Sequence, residues 1–166
     1  LSPLIPILTD SNCVKVFHAG SQDIGILYHE TGVVPAPVFD TQIAASLLGY
    51  PLQVGYGPLV RSVCDVRLAK ADSFTDWSRR PLTNFQMKYA LEDVVYLPQL
   101  YDYLNDQLQK KGRFAWCERD FAELSNPANY VNEPRDMWQR VKRVSSLSRG
   151  QLAIAREVAA WRETQA

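Results

Sequence analysis

Cysteine is scarce in this chain of 166 residues, and Cys13, Cys64 and Cys117 lie far apart. An odd, scattered set supports neither a disulfide framework nor a cysteine-based zinc site. A reducing, cytoplasmic setting is the expectation that follows. Long apolar runs are missing as well. No stretch approaches the roughly 20 residues that a membrane-spanning helix needs, and no secretory or basic amphipathic leader is recognisable. Net charge is absent too, with 18 Lys and Arg against 18 Asp and Glu. A general nucleic-acid coat protein is usually basic, so charge gives no support for such a partner. An enzyme that grips only a chain end needs no more than a local basic patch. Internal repeats and low-complexity segments are also lacking.

What is present is ordinary for a globular protein, with 46% hydrophobic and 22% charged residues. The length holds one domain, or one domain and part of another. The first residues, Leu1 to Leu8, are already apolar, which suggests a start inside a larger protein.

Val14-Lys15-Val16-Phe17 alternates and is rich in β-formers, so a short strand is expected there. Ser21 is placed to cap a helix to about Glu30, with Ile24, Leu27 and Tyr28 on one face. Val38-Phe39 reads as a short extended piece, followed by a helix capped by Asp40 or Thr41 and running to Leu48. Gly49 to Gly57 is marked as a turn, and a short helix follows from about Pro58 to Cys64. Residues 65–82 are polar and irregular. Thr83-Asn84-Phe85-Gln86 is a capping box. It is expected to open one long helix to about Lys110, stopped by Gly112. Residues 113–124 suit another helix, and Asn126 to Pro134 suits a linker. Pro134 fits the first position of a helix holding Met137, Trp138 and Val141. Ser148-Arg149-Gly150-Gln151 is a second capping box, before a helix with Leu152, Ala155, Val158 and Trp161.

Three side chains carry the chemistry. Tyr89 and Asp93 stand at i and i+4 and share a helix face, and Asp23 lies near the start of another helix. Carboxylates are the hard oxygen ligands that Mg²⁺ and Mn²⁺ require. Two such ions roughly 3.5–4 Å apart can activate water and stabilise a departing alkoxide in phosphodiester hydrolysis. A free Tyr titrates near about 10, so Tyr89 suits positioning of a water better than deprotonating it. Taken singly, each residue has a plainer reading. Asp23 and Asp40 could be helix caps, Tyr89 a core-edge aromatic, and His18 a strand-end hydrogen-bonder. Glu92, Asp102 and Asp106 read as solvated surface.

Their joint order changes the weighing. His18-Ala19-Gly20-Ser21-Gln22-Asp23, Phe39-Asp40-Thr41-Gln42, Thr75-Asp76-Trp77-Ser78-Arg79-Arg80-Pro81-Leu82 and Tyr89-Ala90-Leu91-Glu92-Asp93 together resemble the bacterial ribonuclease D family, in the DEDDy branch of 3′→5′ exonucleases. The likeness covers residues 14–108. It implies an α/β, ribonuclease-H-like exonuclease fold over residues 1–112, truncated and mostly helical here, with a helix and linker over 113–133. Residues 134–166 resemble the first helices of an all-α HRDC module, a nucleic-acid-binding unit.

The resemblance further implies metal ligation by Asp23 and Asp93 in a two-metal Mg²⁺ or Mn²⁺ site, with Tyr89 orienting the attacking water. His18 and Asp40 match supporting positions, and Trp77, Arg79 and Arg80 border the substrate path. The implied activity is exoribonuclease trimming of tRNA-precursor 3′ ends, releasing nucleoside 5′-monophosphates. One departure is plain: the family's Asp-x-Glu motif occurs nowhere in this chain. The chain by itself is therefore expected to be inactive, and either to be completed by another piece, to self-associate through an open sheet edge, or to be marginal in stability. The rival expectations are a non-catalytic nucleic-acid-binding fragment and a DNA-directed relative of the same branch.

Overall fold

In the computed structural model, a short helix α1 (Ile5–Thr9) leads into β1 (Lys15–Phe17), α2 (Ser21–Thr31) and β2 (Val38–Asp40). The two strands pair in parallel, with Val16 opposite Phe39 and Phe17 opposite Asp40. Parallel neighbours need a crossover connection, and α2 supplies it. Then follow α3 (Thr41–Leu47), α4 (Tyr56–Cys64), α5 (Asn84–Val95), α6 (Leu97–Lys110) and α7 (Phe114–Leu124). A 3-10 helix (Pro134–Arg140) and α8 (Arg149–Gln165) complete the chain. The described residues are 1–68, 75–131 and 133–165, so part of the irregular stretch expected at 65–82 lies outside them. None of their helices is long and apolar enough to cross a membrane.

The described residues belong to two units, Leu1–Asn129 and Tyr130–Ala166. In the first, Leu100, Leu104 and Leu108 recur at helical spacing on α6 and are fully buried against Ala44 and Ala45 of α3 and Leu59 and Val60 of α4. Each such leucine is worth about 1.5–3 kcal/mol on burial. Phe39 of β2 meets the rings of Tyr101 at 4.8 Å and Phe121 at 5.0 Å, which joins the sheet to α6 and α7. Burial and nearby Asp120 push the Cys117 thiol up to about 11, as expected of an inert packing cysteine. The buried amine of Lys15 donates to the carbonyls of Asp10 at 2.7 Å, Cys13 at 2.6 Å and Ala36. That ties down the approach to β1.

Three local expectations are corrected. Gly20, not Ser21, is the N-cap of α2, and no side chain caps that end. A Cβ on Gly20 would stand 2.5 Å from Cβ of Phe17, so close passage of the chain sets the residue there. The long helix to Lys110 is two helices that meet at Tyr96. Pro98 lacks the N–H that would bond to Val94, and its ring crowds that carbonyl. The helix expected from Pro134 is a 3-10 helix that ends at Arg140, with Val141 already extended. In the second unit that segment packs on α8. Met137 and Ala159 are buried, Arg156 lies 4.3 Å over the Trp138 ring, and Arg135 meets Glu157 at 3.3 Å.

Candidate active site

Asp40 organises the ground beneath the site. It is 1% exposed, and its carboxylate accepts four backbone N–H groups. Those of Gln42 (2.8 Å) and Ile43 (3.2 Å) belong to the start of α3, and those of Ala19 (3.2 Å) and Gly20 (2.8 Å) to the approach to α2. One carboxylate thus caps α3 and fixes the entry of the helix that carries Asp23. Ala19, with φ of 55°, takes the left-handed turn that makes this possible.

His18 follows β1 directly. Its Nε2 donates to the carbonyl of Val54 at 3.0 Å, and its Nδ1 lies 2.8 Å from the Thr41 hydroxyl. The same hydroxyl lies 3.0 Å from the carbonyl of Phe17. Partial burial lowers the His18 pKa, only partly countered by Asp40 and the Val54 carbonyl. The neutral imidazole is the ordinary state, and its Nδ1 and the Phe17 carbonyl both face the single proton of the Thr41 hydroxyl, which donates to that carbonyl. The edge of its ring meets Tyr56 at 5.6 Å.

Asp93 stands near the end of α5. Desolvation first, and then the neighbouring Glu92, raise its pKa. One turn earlier, Tyr89 is raised by desolvation and by the charge of Asp93. Its phenol therefore stays protonated at neutral pH and can act as a hydrogen-bond donor. Asp23, Asp93, His18 and Tyr56 share one cleft of about 420 Å³, walled by Val16, Phe17, Val94 and Leu97. Neither Asp23 nor Asp93 has an ion pair among the described residues. Two unneutralised carboxylates facing one cleft are a donor set suited to a hard cation. The described residues contain no group of three or more candidate metal ligands.

Trp77 packs against Tyr89, with ring centroids 5.8 Å apart. The capping box of α5 is formed, and Gln86 reaches from it to the carbonyl of Asp76 at 2.8 Å. That bond holds the Trp77 loop against the helix. Arg80 spends one guanidinium nitrogen on the carbonyls of Trp77 and Arg79. Arg79 and Arg80 are exposed, and neither they nor Trp77 and Tyr89 are among the residues that line the cleft. Tyr56 was not singled out by sequence reasoning. Its only signal there is its place beside Gly55 and Gly57 at a helix start.

Residues 1–109 match the 3′-5′ exonuclease family. A protein of Jannaschia sp. named ribonuclease D is 47% identical over 166 residues, all of this chain and 43% of the relative. The crystal structure of Escherichia coli RNase D, an exoribonuclease involved in structured RNA processing, aligns with a TM-score of 0.87 at 34% identity, over 99% of this chain and 44% of that one. Brucella melitensis NrnC with bound Mg²⁺ aligns with a TM-score of 0.67 at 32% identity, over 76% of this chain and 61% of that one. The chain spans less than half the length of the ribonuclease D relatives it matches.

Proposed function

The chain belongs to the 3′-5′ exonuclease family, and on that premise we propose that its cleft serves metal-dependent hydrolysis of RNA from the 3′ end, releasing nucleoside 5′-monophosphates. The observation that carries the reading is the convergence of Asp23 and Asp93, from two different helices, on one cleft. The names of its relatives support RNA as the substrate class, and 3′ ends of tRNA precursors are the proposed substrate within it. Asp23 and Asp93 would hold Mg²⁺ or Mn²⁺, which when bound supplies an activated water and charge neutralisation at the phosphate.

The remaining roles belong to this chain's own side chains. The protonated phenol of Tyr89 donates a hydrogen bond at the position of the attacking water. Its elevated pKa keeps it from serving as the base. Trp77, packed on Tyr89, offers a face for stacking a terminal base, a contact worth about 1–3 kcal/mol. Arg79 has no side-chain partner among the described residues and is available to a substrate phosphate, with Arg80 beside it. His18 and Asp40 keep the two carboxylate-bearing helices in place. We further propose that the second unit, as an HRDC-like module, adds RNA-binding surface. The side of β1 that pairs with no strand among the described residues, with Val14 exposed beside it, is proposed as a route to self-association, which sedimentation of the chain at several concentrations would reveal.

The test joins this chain to the upstream Asp-x-Glu segment of a relative and follows mononucleotide release from a 3′-tailed RNA in Mg²⁺ or Mn²⁺. Stepwise release that falls more than about a hundredfold in the Asp93→Asn variant is the expected result. Equal cleavage by both forms would overturn the assignment. A second reading, RNA binding without catalysis, is favoured by the absence of a third ligand among the described residues. It predicts binding that survives EDTA with no cleavage. A DNA oligonucleotide of the same sequence tests the DNA-directed alternative, since contacts to the 2′-hydroxyl separate the two substrates.

A further inference from the structure

The break between α5 and α6 lies three residues beyond Asp93, and a side chain from elsewhere is built into it. At Tyr96 the backbone N–H turns to the carbonyl of Val94 instead of that of Glu92, its partner in an unbroken helix. The hydroxyl of Tyr56 takes the vacated position. It donates to the Glu92 carbonyl at 3.1 Å; burial raises the pKa of the phenol, and the nearby Tyr96 N–H only partly counters that. The phenol thereby replaces the donor that the Glu92 carbonyl lost at the break. Insertion of a side chain into the helical ladder is a recognised cause of a kink.

The carbonyl it holds belongs to the peptide that joins Glu92 to Asp93. That unit is planar and ends at the Asp93 Cα, so fixing its oxygen fixes the amide and the Cα from which the Asp93 side chain leaves. Tyr56 is itself anchored. Its ring meets His18 at 5.6 Å, and His18 is held by Val54 and Thr41. The first turn of α4, the end of β1 and the end of α5 are joined through this one phenol, on the wall of the cleft that holds both carboxylates.

We propose that Tyr56 is a positioning residue for Asp93: its hydroxyl, bonded to the Glu92 carbonyl at the break before Tyr96, fixes the peptide from which the Asp93 carboxylate enters the cleft. The functional part of this inference rests on Asp93 being a metal ligand, whereas the geometric part stands without it. A tyrosine that merely fills space here would have a dispensable hydroxyl.

NMR of the chain as it stands separates these cases. In the Tyr56→Phe variant the Tyr96 amide at the break should exchange roughly tenfold faster, as loss of the hydrogen bond that holds the Glu92 carbonyl there implies. The three-bond couplings of the Asp93 side chain should move from a single rotamer to an average, while Leu104 and Leu108 amides keep their protection. Unchanged Asp93 couplings and Tyr96 exchange in that variant would overturn the proposal. Should Tyr56→Phe not fold, the unsubstituted chain decides. A slowly exchanging Tyr56 hydroxyl proton with a cross-relaxation peak to the Tyr96 amide supports the wedge, and its absence overturns it. A Mn²⁺ titration then tests the functional part, with about tenfold weaker binding expected for Tyr56→Phe. Equal Mn²⁺ affinity in the two forms would overturn positioning for metal. No Mn²⁺ binding by either form would sink the metal reading of Asp93, while the couplings still decide the wedge.

Discussion

Asp93 illustrates at the scale of one residue how a site can be bought with stability. Its carboxylate is desolvated and stands beside Glu92, so the folded state favours its protonated form. At neutral pH the ionised group therefore opposes folding. The Asp93→Asn variant, the same in shape but uncharged, should melt at a higher temperature than the unsubstituted chain in metal-free buffer. A lower melting temperature would show that the carboxylate makes a stabilising contact instead. His18 gives a pH dependence. Its folded pKa lies below the ordinary value of 6.5, so between those two values the unfolded chain binds more protons. The His18 contribution is fully present above about pH 6.5 and is lost as pH falls toward the lowered value. Denaturation midpoints measured from pH 7.5 down to 5 should decline, and less steeply in His18→Gln, which lacks the titrating ring.

At the scale of elements, the approach to α2 is the tightest passage. Gly20→Ala would press a methyl into Phe17 and disturb the N–H that Asp40 accepts. A loss of about 1–3 kcal/mol in urea denaturation is expected, as for other overpacked positions. Leu104→Ala, in the middle of the buried face of α6, should cost about 2–5 kcal/mol. The same elements show what sequence patterns can and cannot carry. The period of Leu100, Leu104 and Leu108, the capping box at Thr83 and Gln86, and the Asp40 cap are local, and each was readable from spacing. The break at Tyr96 was missed although Pro98 signals it, because the apolar period runs on across the junction. Tyr56 was not readable at all. Its partners lie 36 residues away, and a tyrosine between two glycines says nothing of what its hydroxyl will meet.

The neutral total charge hides an uneven distribution over the whole molecule. Residues 130–166 hold seven Lys and Arg against four Asp and Glu, so the rest of the chain is net acidic. RNA binding through that basic portion should weaken with salt, with a log–log slope of roughly −0.7 for each phosphate contact to a single strand. Changing Arg140, Lys142 and Arg143 to Gln should flatten the slope, as read by fluorescence anisotropy at several KCl concentrations. The residues assigned to the site could be named from sequence because four short motifs kept a fixed order. That Asp23 and Asp93 share one site followed from the resemblance and not from spacing, since 70 residues separate them and only the fold brings α2, β1 and the end of α5 to one cleft.

That union is the central claim, and paramagnetic NMR with substoichiometric Mn²⁺ tests it most directly. The account predicts that the amides around Asp23 and Asp93 broaden together, and that Asp93→Asn abolishes both effects while the spectrum remains that of a folded chain. Broadening confined to other acidic sites such as Asp102 and Asp106, or persisting at Asp23 in the variant, would contradict it.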